Sequence, residues 1–483
     1  MSRIIPIAAA NTPSTVSLYV SEEKIQPRSV RGWFASWRWA MVWLTQLVFY
    51  GLPWLQWNGR PALLFDLGAR RFYIFAMVLH PQDVIYLAAL LILSAYSLFL
   101  FTAVAGRLWC GFACPQTVYT EMFMWVERRF EGDRQARIKL DAAPWSLRKV
   151  AQRGGKQVVW LAIGLWTGFT LVGYFTPART LGAEVLGLAL GPWETFWILF
   201  YGLATYGNAG YLREQVCKYM CPYARFQSAM FDRDTLIVSY DEQRGEPRGS
   251  RARGIDPASI GKGQCIDCTL CVQVCPTGID IRKGLQYECI GCAACIDVCN
   301  GVMDKMTYPR GLIRFATQNA MVQGWSPRTM WKRVARPRVL VYAAVLVALS
   351  SAFVFSLATR SALKADVVRD RGTLARMVED GRIENVYRLQ LMNATESTER
   401  VHVEVEGLPG ATLPAWSDVD LGATESRWVP VAVQIPAQQA SALRAGAHAF
   451  AFKIRLVPTS AGRDGTGESA TELHEKSTFI VPR

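Results

Sequence analysis

Long apolar runs and short alternating runs divide this chain into two parts of different texture. Five apolar runs are long enough for membrane-spanning helices, because about 20 apolar residues cross the hydrocarbon core of a bilayer. They lie at 39–57, 84–104, 157–175, 193–212 and 339–358. The run at 72–79 is too short to cross, and we predict an interfacial or re-entrant segment there. The pattern therefore predicts a five-helix transmembrane region.

The last part of the chain changes to a period of two. Apolar and polar residues alternate at 384–392, 400–407, 427–435, 447–457 and 476–482, with turn-forming residues between these segments. Alternation at this spacing is typical of an antiparallel β-sandwich, here of roughly 110 residues. The segment contains no cysteine, so we expect it to contact other molecules outside the membrane rather than to carry redox chemistry.

Basic residues set the predicted orientation of the helices. Lys and Arg are concentrated in 105–156 and 213–338, whereas the alternate loops 58–83 and 176–192 contain few. Because Lys- and Arg-rich loops remain on the cytoplasmic side, we place the N-terminus and residues 213–338 in the cytoplasm and the C-terminus outside. The formal net charge of +14 then reflects membrane topology, and we expect no nucleic-acid partner. The first 35 residues are expected to be a flexible basic head without a cleavable signal peptide.

Residues 265–299 contain eight cysteines in two tandem runs with the spacing of a bacterial two-cluster ferredoxin. In such proteins the fourth cysteine of each run binds the cluster of the other run. One predicted 4Fe–4S cluster is therefore bound by Cys265, Cys268, Cys271 and Cys299. The other is bound by Cys275, Cys289, Cys292 and Cys295. A zinc ribbon normally uses two C-x-x-C pairs, and a disulfide framework does not suit a reducing compartment.

The four remaining cysteines form two C-x-x-x-C-P motifs, Cys110 to Pro115 and Cys217 to Pro222. Each motif follows an apolar run that is predicted to cross from outside to inside, which suggests a pseudo-repeat. If the helices continue through the motifs, Cys110 shares a face with Cys114, and Cys217 with Cys221. Four thiols at one cytoplasmic spot suit Cu(I) or an iron–sulfur unit, and each pair is also within disulfide reach. Buried cysteines that only pack are the plain alternative.

Other signals are weaker. His80 stands alone at the predicted outer end of the second run, where we expect a helix-initiating or interfacial role. The chain shows no dinucleotide-binding or phosphate-binding glycine pattern. Its electron donor is therefore not identified by a motif.

The segment AVAGRLWCGFACPQTVYTEMFMWVERRFEGDR, the second motif CPYARFQ, the double cluster run and the outer β domain together resemble one family. It is the cytochrome c oxidase accessory protein family CcoG, also called FixG or RdxA, and the resemblance covers residues 30–483. Its members are bacterial inner-membrane proteins with polyferredoxin-type cluster domains and an immunoglobulin-like C-terminal domain. The resemblance implies a role in assembly of cbb-type haem–copper oxidases, with reduction of Cu(II) to Cu(I).

That resemblance also assigns roles and partners. The four C-x-x-x-C-P cysteines become candidate catalytic and copper-handling thiols, and the eight cluster cysteines become the electron supply. The expected partners are copper ion, membrane lipid, and copper chaperones or oxidase assembly factors. The electron donor is not identified, and a homo-oligomer stays open. Two other functions stay open: a quinol-oxidising membrane ferredoxin that feeds a periplasmic reductase, and a non-catalytic assembly scaffold or redox sensor.

The predicted architecture is a multidomain membrane protein with five parts. They are a cytoplasmic N-terminal segment (1–35), a four-span region with both C-x-x-x-C-P motifs (36–230), a cytoplasmic α+β two-cluster ferredoxin module (231–335), a fifth helix (336–360) and a periplasmic immunoglobulin-like sandwich (361–483).

Overall fold

A computed structural model describes residues 24–370, 372, 375–413, 418–457 and 472–482. The predicted basic head falls largely on residues 1–23, which lie outside the described residues. Residues 24–31 have no regular secondary structure, and the Arg28 main-chain N–H donates a hydrogen bond of 2.8 Å to the Gln273 carbonyl. This end of the head is therefore docked on the cysteine-rich module.

The first half of the chain is mainly helical. Its helices are α1 (Trp33–Gly51), α2 (Val84–Ala105), α3 (Leu108–Phe112), α4 (Pro115–Glu131), α5 (Arg134–Ala142), α6 (Leu147–Val172), α7 (Ala178–Leu186), α8 (Pro192–Gly207) and α9 (Pro222–Met230). Its strands are β1 (Gln56–Trp57), β2 (Arg60–Pro61), β3 (Leu63–Asp66), β4 (Arg71–Ile74) and β5 (Met77–Leu79).

Two helix boundaries differ from the prediction. Helix α1 begins at Trp33 and ends at Gly51, instead of covering 39–57; the 3-10 turn Leu52–Trp54 follows it and contains Pro53, which has no N–H to continue an α-helix. Helix α6 begins at Leu147 instead of 157. The Ser146 side chain accepts a hydrogen bond of 3.3 Å from the Lys149 main-chain N–H, which caps the helix before its basic first turns.

The segment 72–79 forms the strands β4 and β5, which pair in an antiparallel sheet with β3; its position at the membrane interface stays a prediction. The side chains of Leu64, Tyr73 and Val78 meet on one buried face of this sheet. They alternate with half-buried neighbours, a strand pattern that the short apolar run concealed.

The cysteine-rich module follows. Its elements are β6 (Ile237–Tyr240), α10 (Glu242–Gly245), α11 (Leu270–Gln273), α12 (Ala294–Met306), β7 (Ile313–Ala316), α13 (Gln318–Gln323) and α14 (Pro327–Lys332). Strands β6 and β7 pair antiparallel, so the two ends of the module meet. Helix α15 (Pro337–Ala358) then leads to the C-terminal domain.

The C-terminal domain is a two-sheet sandwich. Its elements are β8 (Leu363–Arg369), β9 (Arg376–Met377), β10 (Ile383–Asn393), β11 (Glu399–Glu406), β12 (Asp418–Leu421), β13 (Ser426–Ile435), α16 (Ala437–Ala442), β14 (Gly446–Val457) and β15 (Glu472–Val481). One sheet has the order β13-β10-β8 with β9 beside β10, and the other has the order β12-β11-β14-β15. The five predicted strands are confirmed, and Tyr387, Phe452 and Phe479 fill the core between the sheets.

Among the described residues, two helices have the length and hydropathy to cross a bilayer: Pro81–Ala105 and Pro337–Ala358. The other three predicted runs are helical as α1, α6 and α8. However, α1 carries Arg38, α6 begins with basic residues, and α8 has 16 residues. The five-span region therefore stays a prediction.

Helix α2 separates the two ends of the molecule. Its 22 residues rise about 33 Å. At its start, Asp83 pairs with Arg360 at 2.8 Å, just before the C-terminal domain, and with Lys364 in strand β8 of that domain. Beyond its end, Arg107 contacts the cysteine-rich module. The sandwich and the module therefore lie at opposite ends of α2.

His80 lies in the junction with the sandwich. It is 2% exposed, and neither ring nitrogen has a hydrogen-bond partner among the described residues. Burial lowers the pKa of His80 to about 4, and the nearby charges of Arg360, Arg71 and Lys364 act in the same direction, while Asp83 opposes them. His80 is therefore neutral in the folded protein at neutral pH.

Candidate metal centres

The eight cysteines of the module line two adjacent cavities. Cys265, Cys268, Cys271 and Cys299 line the first, together with apolar side chains that include Leu312 and Ile313. Cys275, Cys289, Cys292 and Cys295 line the second. Cys271 also borders the second cavity, so the two cavities share a wall. In each set, three cysteines come from one run and one from the other.

Both runs build their cavities with the same local backbone. The residues on either side of Cys268 have positive φ, 55° at Asp267 and 56° at Thr269, and those around Cys292 do too, 70° at Gly291 and 59° at Ala293. Helices α11 and α12 begin directly after these turns. The left-handed residues fold the main chain around the cavity, so the repeat in sequence is also a repeat in conformation.

The donor set fits iron–sulfur clusters. All twelve cysteines are free thiols in the structure, and burial raises the pKa of Cys271 to about 11 and that of Cys299 to about 12. Binding a metal group at these thiols must therefore release protons. Four thiolates around an apolar cavity are the ligands of a 4Fe–4S cluster. In the described ranges no group of three or more His, Cys, Asp or Glu side chains is placed to hold a single metal ion; the cysteines instead surround the two cavities.

The C-x-x-x-C-P motifs interrupt their helices. Cys110 lies within α3, and Cys217 lies in a single π-helical turn, Val216–Met220. Cys114 and Cys221 are extended residues that precede α4 and α9. The helices therefore do not continue through the motifs, so the condition for a shared helical face is not met: each following proline excludes its cysteine from the preceding helix and begins the next one.

The structure nevertheless brings the four thiols together. Burial, together with the neighbouring thiols of Cys114, Cys110 and Cys221, raises the pKa of Cys217 to about 12. The Cys110 thiol donates a hydrogen bond of 3.2 Å to Oε1 of Gln227, a side chain that is fully buried. We call these four cysteines the four-thiol site.

The four-thiol site lies against the second cluster cavity. Cys110 and Cys217 pack on the buried group that contains Ile290 and Cys292. A Cβ added at Gly111 would lie 2.7 Å from the Cys292 nitrogen and 2.7 Å from the Gly291 carbonyl carbon. Only glycine permits this approach of the two backbones.

Sequence reasoning missed the side chains that join the module to the helices. Arg38 in α1 donates a hydrogen bond of 3.2 Å to the Cys292 carbonyl. Arg107 donates to the Tyr287 carbonyl and to that of Ala224 in α9. Arg38 directly precedes the apolar run predicted at 39–57, where a basic residue is ordinary, so the sequence gives no signal for its role. Arg107 lies in the segment AVAGRLW, where no pattern distinguishes it from other basic residues at the end of an apolar run.

Asp297 of α12 joins the module to α1 in another way. Its carboxylate accepts hydrogen bonds from the main-chain N–H groups of Phe34 at 3.2 Å and Ala35 at 2.8 Å. A carboxylate at a helix N-terminus satisfies free N–H groups and interacts favourably with the helix dipole. A residue between two cluster cysteines thus caps the first helix.

A buried ion cluster supports the segment before Cys217. The Glu127 carboxylate, 1% exposed, lies 2.7 Å from Arg137, 3.1 Å from Arg213 and 3.7 Å from Lys156. Burial acts to raise the pKa of Glu127, but the charges of Arg213, Arg137 and Lys156 outweigh it, and the pKa is lowered. Arg213 follows one π-helical turn, Asn208–Leu212, and precedes the turn with Cys217.

Three family models match the chain. A 4Fe-4S dicluster domain matches residues 212–318, and a 4Fe-4S binding domain matches residues 87–132, which include the first C-x-x-x-C-P motif. A model described as an IG-like fold at the C-terminal of FixG matches residues 353–482.

Three curated proteins are similar to most of the chain. Nitrogen fixation protein FixG of Rhizobium meliloti is 39% identical over 427 residues, 82% of this chain and 82% of that protein. Protein RdxB of Cereibacter sphaeroides is 43% identical over 387 residues, 78% of this chain and 81% of that protein. Protein RdxA of the same organism is 38% identical over 403 residues, 81% of this chain and 84% of that protein.

Proposed function

This chain belongs to the FixG/RdxA family, and from that premise we propose that it is a membrane-bound cupric reductase for assembly of a cbb-type cytochrome c oxidase. Its two 4Fe-4S domains and IG-like domain make it iron–sulfur oxidoreductase-like. The proposal adds the substrate, Cu(II), and the place of its reduction, the four-thiol site.

One observation carries this proposal: the four-thiol site touches the loop of the second cluster cavity. The close approach of the Gly111 and Cys292 backbones supports the proposal, because copper bound at the four-thiol site would lie beside the second cluster. The clusters, when bound, supply single electrons. Cu(II) gains one electron to become Cu(I). A reduced cytoplasmic protein supplies that electron, or one quinol supplies two electrons for two Cu(II) ions and releases two protons.

The residues of the site account for the direction of this reaction. Soft thiolates hold Cu(I) better than Cu(II), so ligation by Cys110, Cys114, Cys217 and Cys221 makes reduction more favourable. Gln227 orients the Cys110 thiol by accepting its hydrogen bond. Because burial raises the pKa of Cys110 to about 11, the thiols exchange their protons for the metal when it binds.

We place the reaction on the cytoplasmic side. In this topology α1, α2, α6, α8 and α15 cross the inner membrane, and the basic loops hold the cluster module inside. The sandwich then lies in the periplasm, where it would contact copper chaperones or oxidase assembly factors. The C-terminal segment has no cysteine, which favours reduction at the cluster end over an electron conduit to a periplasmic reductase.

The test is a single turnover with purified full-length protein. The clusters are reduced, excess reductant is removed, Cu(II) is added, and Cu(I) is measured with a specific chelator. We expect one Cu(I) for each electron lost by the wild type, and none from the Cys110→Ser/Cys114→Ser variant with its clusters intact. Ala113→Ser, in the same turn with both thiols kept, is the matched control. Undiminished copper reduction in the double variant would refute the proposal.

Metal analysis separates copper from a further iron–sulfur centre at the four-thiol site. Substitution of all four cysteines by serine should remove bound copper and leave the iron content unchanged. A loss of iron instead would assign an additional cluster to these residues, and oxidation of a quinol without copper reduction would favour the quinol-oxidising function.

A further inference from the structure

Two arginines from the helical region bind the main chain of the loop that surrounds the second cluster cavity. Arg38 reaches the Cys292 carbonyl at 3.2 Å. Arg107 reaches the Tyr287 carbonyl, and its Nη1 lies 3.5 Å from the Cys289 carbonyl. Both arginines therefore place a positive charge against the main chain that carries ligands of the second cluster.

These charges are buried. Arg38 is 7% exposed and Arg107 is 6% exposed. Among the described residues, their hydrogen bonds go to main-chain carbonyls and not to carboxylates. Glu121 and Asp297 are near enough to Arg38 to act on its charge, so Arg107 has the less compensated charge of the two.

Each guanidinium also keeps a spare donor. The Nε–H groups of Arg38 and Arg107 are buried and have no hydrogen-bond partner in the described part of the chain. Buried polar groups normally have partners. The protein alone therefore leaves both guanidinium groups incompletely compensated.

The first cluster cavity has a different electrostatic environment. Its nearby cation, Arg282, is bound to two carboxylates, Asp267 at 2.5 Å and Asp280 at 2.8 Å. One of its ligands, Cys268, is exposed. The positive charge there is more than matched by the two carboxylates.

We propose that Arg38 and Arg107 hold the reduction potential of the second cluster above that of the first. The potential of an iron–sulfur cluster rises with nearby positive charge and with hydrogen bonds to its sulfur atoms, and it also depends on solvent exposure. An electron that enters the module then resides on the cluster next to the four-thiol site, and the first cluster is the entry point. Arg38 and Arg107 are positioning residues, because they determine which cluster holds the electron and do not react themselves. Only the later transfer of that electron to copper rests on the proposed function.

The experiment is a redox titration of the full-length protein, followed by electron paramagnetic resonance without copper. In Arg107→Gln we expect the equilibrium constant for reduction of the second cluster to fall at least tenfold, equivalent to about 59 mV. Arg38→Gln should act in the same direction but less strongly. The first cluster should keep its potential in both variants, and Arg107→Lys should restore most of the wild-type value.

Arg310→Gln is the matched control, because this arginine is exposed and bonded to Asp304, and it should shift neither potential. Equal shifts of both clusters in Arg107→Gln, or no shift, would overturn the inference.

If the glutamine variants lose their clusters, the redox titration of the wild type alone tests the inference. The signal that Cys275→Ser abolishes should be the first to appear as the potential is lowered. Earlier reduction of the other cluster would disprove the ordering, whether or not copper is a substrate.

Discussion

Replacement of Glu127 by Gln tests whether the buried ion cluster supports the four-thiol site. Its contacts with Arg137, Lys156 and Arg213 span 2.7–3.7 Å. At an effective dielectric constant of about 20, each contact is worth about 4–6 kcal/mol before desolvation. Burial of the ions offsets most of this. Removing one partner of a buried pair destabilises a protein by about 3–5 kcal/mol. We therefore expect Glu127→Gln to lower the free energy of unfolding by about that amount.

The same carboxylate predicts a pH dependence. The pKa of Glu127 is lowered in the folded protein, so its contribution is present above the ordinary pKa of about 4.3 and is lost as the pH falls below that value. Stability should fall on acidification in the wild type, and this part of the fall should be missing in Glu127→Gln.

Unfolding in detergent is followed by tryptophan fluorescence, because Trp160 stacks on Phe123 and donates a hydrogen bond of 3.0 Å to its carbonyl. Asp304→Asn is the control, since its pair with Arg310 is exposed and surface pairs contribute little. If Glu127→Gln is no less stable than Asp304→Asn, the reasoning about the buried cluster is wrong.

Three further predictions concern the cysteines, their contact and the outer junction. Cys275→Ser should abolish the paramagnetic signal of the cluster bound by the second run and keep the other; loss of the other signal would disprove the interlocked ligand set. Gly111→Ala inserts a Cβ 2.7 Å from the Cys292 nitrogen, so copper reduction should fall at least about tenfold, as when reacting groups move apart by about 1 Å. Iron content should be unchanged, and Gly301→Ala, with open space around its Cβ, should be normal. The pKa of His80 is lowered to about 4 in the folded protein, so the stability of the wild type should fall as the pH drops from about 6.5. The unfolding temperature of His80→Gln should lack that fall. The same pH dependence in the variant and the wild type would contradict this prediction.

The sequence predicts much of the fold where one local pattern dominates. The strands β10, β11, β13, β14 and β15 follow their alternation to within a few residues. The twin cysteine runs predict the repeated turns around Cys268 and Cys292, because the spacing and the backbone conformation repeat together. The family is also predicted correctly, since the ordered set of four cysteine motifs is specific.

The remaining features depend on contacts between distant residues. Strand β8 has no clear alternation, and it is a strand because it pairs with β10. Periodicity cannot show that Pro115 and Pro222 exclude Cys114 and Cys221 from helices and still leave four thiols together. Nor can it show that Arg107 meets the loop of Cys289, since that contact spans 182 residues of chain.

The cap that Asp297 gives to α1 links the first helix to the folding of a much later part of the chain. The chain is made from its N-terminus, yet the carboxylate that binds the Ala35 N–H comes 262 residues later. The N-terminal donors of α1 therefore gain this cap only when the cysteine-rich module has folded. A chain in which that module is unfolded would leave this helix end without its cap.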